Sequence, residues 1–124
     1  MSLPRVLAAA LAVLAVTWAG AAPALAHALL DHADPPVGST LGAAPGRLTL
    51  FFTQAVEPAF STVEVTDASG AKVDRGDVEV DPQDGSIVRV SLAPLSPGTY
   101  RVSWRVVSVD THPTEGAFTF RVGS

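Results

Sequence analysis

From His27 onward the sequence predicts an all-β fold, a seven-stranded Greek-key sandwich or barrel, and three observations carry that expectation. Short runs rich in β-branched and aromatic residues alternate with clusters of Pro, Gly, Asp and Ser. Two of those runs alternate apolar and polar residues with a period of two, as a half-buried strand does. No stretch carries the 3.6-residue period of a helix of useful length.

The first strand is expected over 27–33. It stops at Asp34-Pro35-Pro36-Val37-Gly38-Ser39, which cannot sit in a ladder because proline lacks the N–H. Strands over 47–53 and 60–66 follow, the second closed by the turn Asp67-Ala68-Ser69-Gly70. A fourth over 71–80 runs to the turn Asp81-Pro82-Gln83-Asp84-Gly85, and a fifth over 86–92 runs to Ala93-Pro94-Leu95-Ser96-Pro97-Gly98. The sixth, 99–107, is the clearest: Tyr100, Val102, Trp104 and Val106 alternate with Arg101, Ser103 and Arg105. Trp104 is read there as a core anchor rather than a ligand-stacking group. In the seventh, 116–122, Phe118, Phe120 and Val122 face inward while Thr119 and Arg121 face out. Seven strands is a sandwich count.

Residues 1–26 read as a secretory signal. Arg5 supplies the positive start, Val6 to Gly20 form an apolar run, and Ala24-Leu25-Ala26 is a small-x-small cleavage site. The run is roughly 15 residues, shorter than the roughly 20 that a membrane-spanning helix needs. Cutting after Ala22 would put Pro23 directly beyond the scissile bond, so the cut is expected between Ala26 and His27. The mature chain, 27–124, would keep 98 of the 124 residues as one small domain with no membrane anchor. With seven Lys or Arg against twelve Asp or Glu, its net charge is −5, which argues against nucleic acid or an anionic membrane as partner. There is no cysteine, and the single methionine is Met1. Neither a disulfide nor a sulfur ligand for Cu(I) is available, so a bound metal would be held by nitrogen and oxygen.

Cleavage before His27 would give the mature chain an imidazole and a free amine at its first residue. Asp110-Thr111-His112-Pro113 follows the Trp104 strand, and residues two apart in an extended chain project to the same side. Pro113 biases His112 toward an extended backbone, so Asp110 and His112 are expected to converge. A carboxylate cannot continue the core face unpaired, so the strand is expected to end or bend near Ser108, leaving the pair at the rim. The His27 amine and imidazole, the His112 imidazole and the Asp110 carboxylate offer three nitrogens and an oxygen, a set suited to tetragonal Cu(II). Taken singly, a terminal histidine is usually solvated and an Asp-x-His is usually a turn; their joint occurrence carries the metal reading. His32, between Asp31 and the Asp34-Pro35 break, is read as a solvated strand-end residue.

Several of these segments together resemble CopC copper-resistance proteins. They are His27-Ala28-Leu29-Leu30, Asp34-Pro35 with Gly38-Ser39, Leu50-Phe51-Phe52-Thr53 with Val56, Pro97-Gly98-Thr99-Tyr100, and Trp104-Arg105-Val106-Val107-Ser108 leading into Asp110-Thr111-His112-Pro113. The resemblance covers essentially all of the mature chain. It implies a cupredoxin-like or immunoglobulin-like β fold and a monomeric, periplasmic or otherwise extracytoplasmic protein. Such a protein carries or buffers Cu(II) in copper homeostasis and hands it to a CopD-like inner-membrane protein. It also implies His27, Asp110 and His112 as the metal ligands. Some relatives add a methionine-rich Cu(I) site, which this chain lacks, so it looks like the Cu(II)-only type. Where the family often has Glu after Phe-Ser, this chain has Thr53-Gln54. The end of the chain just after the last strand fits a free protein rather than a fusion.

Two other classes stand beside this one. A histidine-brace copper monooxygenase would also use an N-terminal histidine, but it needs a broad substrate face and open copper positions. The small domain and Asp110 leave little room for either. An immunoglobulin-like structural module without metal is the other, and copper titration separates it from both.

Overall fold

The computed structural model describes residues 27–124; the signal segment expected over 1–26 lies outside the described residues. Eight strands form two four-stranded sheets: β1 (Leu30–Asp34), β2 (Thr40–Leu41), β3 (Arg47–Phe52), β4 (Thr62–Thr66), β5 (Glu79–Val80), β6 (Ile87–Ser91), β7 (Gly98–Val107) and β8 (Pro113–Val122). The first sheet runs β1-β3-β6-β5 and the second β2-β8-β7-β4. The fold is therefore a sandwich rather than a closed barrel, a choice the sequence left open because both alternate inward and outward residues.

Alternation is what builds the core. Leu48, Leu50 and Phe52 of β3 and Val88 and Val90 of β6 face Tyr100, Val102, Val106, Phe118 and Phe120 across the sandwich, all of them buried. Tyr100 stacks on Phe120 at 5.5 Å, and its hydroxyl donates to the Ser96 carbonyl, so the one polar atom of that buried ring is satisfied. Trp104 is partly buried and meets Phe52 edge-on at 5.2 Å, packing against the core as expected.

Four segments differ from the sequence reading. Residues 27–29 are not strand, because the Leu29 N–H donates to the Thr53 side chain at 3.0 Å instead of to a ladder carbonyl. The expected strand over 71–80 survives only as Glu79–Val80. Asp74 interrupts it: its buried carboxylate accepts from the Val65 N–H at 2.8 Å and the Gly76 N–H at 3.0 Å, replacing a strand neighbour, and Gly76 turns at φ 72°. The two-residue β2, parallel to β8, went unforeseen because it is too short to show a period. Finally, β8 begins at Pro113 rather than 116, so β7 and β8 pair over their full length from Gly98↔Val122 to Val107↔Pro113.

That long hairpin contains one tight contact. Gly116 lies opposite Trp104, and a Cβ there would stand 2.6 Å from the indole Cζ2. Gly116→Ala is expected to push the ring aside and cost about 1–3 kcal/mol, the usual penalty of overpacking. Denaturant unfolding followed by fluorescence checks this, since Trp104 is the only tryptophan in residues 27–124.

Candidate metal centre

One end of the sandwich collects the residues singled out by the sequence, and two different sheets deliver them. His27 enters ahead of β1, in the first sheet. Asp110 and His112 sit in the turn between β7 and β8, in the second. The His27 and His112 rings stack at 4.9 Å between centroids and 23° between planes. The His112 Nδ1 lies 3.7 Å from the Asp110 Oδ1, with both side chains about half exposed. That gap is too long for a hydrogen bond. It falls between the roughly 2.9 Å and 4 Å that separate adjacent and opposite donors held about 2.0 Å from one ion.

The pairing of Asp110 with His112 arises differently from the sequence reading. The chain there is not extended. The Thr111 N–H donates to the Ser108 carbonyl at 2.8 Å, closing a tight turn, and the Ser108 N–H donates to the His112 carbonyl at 3.0 Å. Thr111 takes a φ of 71°, a left-handed conformation unusual for a β-branched residue. Turn closure, not strand parity, brings the carboxylate and imidazole to one side.

Ser108 organises this turn, and the sequence reading assigned it no role beyond marking a bend. It is fully buried, at the next core-facing position after Val106. Its hydroxyl donates to the Asp110 Oδ1 at 2.5 Å and accepts from the His112 N–H at 3.2 Å. The hydroxyl hydrogen bond, foremost, holds the Asp110 carboxyl below its ordinary range, with the nearby His112 adding to the effect. A serine continuing an apolar stripe was the available signal. The loop carrying Thr53, Gln54 and Ala55 closes the mouth of the sandwich from the other side. The Val109 N–H donates to the Ala55 carbonyl at 3.2 Å, and Val56 bridges Ser108.

Residues 27–29 are held from both sheets. The Thr53 N–H donates to the Leu29 carbonyl at 2.8 Å, and the Thr114 hydroxyl donates to the Ala28 carbonyl at 2.6 Å. The Ala28 side chain is fully buried. His27 is thus the last residue before the anchored backbone.

His32 stands apart. It lies within β1, with its ring flat on Phe51 at 4.1 Å and its Nδ1 2.7 Å from the Asp31 Oδ2, exposed and without contact to His27, Asp110 or His112.

Among the described residues, no three His, Asp or Glu side chains stand as a finished metal cage. A groove of about 590 Å³ along β4 and β7, lined by Val63, Lys72 and Trp104, lies elsewhere. An ion held at an exposed rim needs no such groove.

Fold and rim together define the class: a two-sheet β-sandwich with imidazoles and a carboxylate at the end where the chain enters. The chain belongs to the CopC family, whose CopC domain model matches residues 30–123. It is 41% identical over 98 residues to Protein YobA of Escherichia coli (strain K12), covering 78% of this chain and 79% of that protein. To Copper resistance protein C of Xanthomonas campestris pv. juglandis it is 36% identical over 107 residues, covering 82% and 84% of the two chains. The crystal structure of CopC from Methylosinus trichosporium OB3b superposes with a TM-score of 0.74 at 31% identity, over 78% of this chain and 94% of that one.

Proposed function

We propose that the chain, exported and cut between Ala26 and His27, is a Cu(II)-binding copper-resistance protein that carries or buffers the ion outside the cytoplasm. It catalyses no reaction. The ligands are the amine and imidazole of His27, the imidazole of His112 and the carboxylate of Asp110. The approach of the two histidine rings to 4.9 Å, from opposite sheets and beside Asp110, is the observation that carries this reading. The relatives named for copper resistance support it. Three nitrogens and one oxygen without sulfur favour Cu(II) over Cu(I). The protein acts as a monomer in the periplasm or an equivalent space, and a CopD-like inner-membrane protein receives its cargo.

Titrating Cu(II) into protein that begins at His27 tests the proposal. A weak visible absorption band that saturates at one equivalent is expected, and absence of saturable binding overturns it. Mass spectrometry of the exported protein must also place its first residue at position 27.

Affinity is expected to fall as the pH is lowered from about 8 to about 5. Each imidazole must be neutral and the amine unprotonated to bind metal, and a free α-amine ordinarily titrates near 7.7–8.0. Asp110 contributes little to this loss, because the Ser108 hydroxyl keeps its carboxyl ionised below the usual range. Competition titrations with a chelator at several pH values check the sign.

A further inference from the structure

We propose that Thr114 is a positioning residue for the metal site, acting through the main chain of Ala28. The inference rests on the copper reading above and concerns how its two halves are kept together. His27 belongs to the chain entering the first sheet, whereas His112 belongs to the hairpin of the second. The Leu29 N–H donates to the Thr53 hydroxyl and the Thr53 N–H donates to the Leu29 carbonyl, which ties the entering segment to the residue just after β3, on its own sheet. The Thr53 hydroxyl reaches the His27 carbonyl at 3.5 Å, a long bond within the same sheet, and burial of the Ala28 methyl is non-directional.

The Thr114 hydroxyl supplies the missing link. It donates to the Ala28 carbonyl at 2.6 Å in a partly buried setting. Its residue lies two positions after His112, and its acceptor lies one position after His27. One directional bond therefore spans the mouth of the sandwich, from the backbone next to one imidazole to the strand carrying the other. Thr114 touches no metal. It sets the separation and orientation of groups that do, and outer partners of this kind ordinarily change metal affinity by 10–100-fold.

The experiment compares Cu(II) affinities of four proteins beginning at His27 or extended by one alanine ahead of it: wild type and Thr114→Val in each form. Valine keeps the shape and the strand preference but removes the donor. In the chain beginning at His27, Thr114→Val is expected to weaken binding about tenfold. In the extended chain, whose amine is already displaced, the same change is expected to cost less, because only the imidazole of His27 is left for Thr114 to position. A purely structural role would produce equal losses in both forms, and equal losses or no loss overturn the proposal. Thr114→Ser, which retains the hydroxyl, is expected to bind within twofold of wild type. If it loses as much as valine does, the methyl group and not the hydrogen bond is responsible, and the proposal fails. If wild type beginning at His27 binds no Cu(II), the functional reading itself falls, a result distinct from all of these.

Discussion

A chain carrying one extra residue ahead of His27 is expected to bind Cu(II) at least about a hundredfold more weakly than one beginning at His27, a loss of about 2.7 kcal/mol or more. Extension turns the amine of residue 27 into an amide, a far poorer donor because its nitrogen must give up its N–H proton before it can hold an ion. The segment cannot slide backward to compensate. The Ala28 methyl is fully buried, its carbonyl is held by Thr114, and the Leu29 carbonyl is held by the Thr53 N–H. Only His27 lies beyond these anchors, so one residue of extension displaces the donor completely. Stability should be unchanged, because His27, to which the residue is added, is exposed. Competition titration together with circular dichroism reads both, and equal affinities for the two chains would sink the amine ligand.

His112→Ala is expected to lower Cu(II) affinity by a comparable or larger factor while changing stability by no more than about 0.5 kcal/mol. The structural contacts of this residue are made by its main chain: its N–H donates to the Ser108 hydroxyl and its carbonyl accepts from the Ser108 N–H. Alanine keeps both. The ring is half exposed and adds its stack on His27 and its approach to the Asp110 carboxylate at 3.7 Å. If the variant unfolded instead, His112 would be a structural residue and the site assignment would fail.

The longest strands were legible because burial on one face imposes a period of two, and that period is written in β7 and β8. Local chemistry overrode pattern elsewhere. A run such as 71–80 has adequate strand composition, yet Asp74 finds better hydrogen bonds with its carboxylate on β4 than its backbone would find in a ladder. The candidate ligands were legible as residue types next to an expected cleavage site and a strand end. Their convergence was anticipated for the wrong reason, since the Ser108–Thr111 turn, with Thr111 at a positive φ, does what an extended chain was expected to do.

By itself the sequence determined the fold class, the absence of sulfur donors from residues 27–124 and the identity of the polar side chains left over once the core was assigned. Those are one-dimensional properties, set by composition and by the spacing of neighbours along the chain. Only the tertiary structure decided that His27 meets His112, and that Thr53, Ser108 and Thr114 hold the meeting place. Contacts between residues separated by some eighty positions depend on how two sheets pack and where their edges align. No local period encodes that alignment.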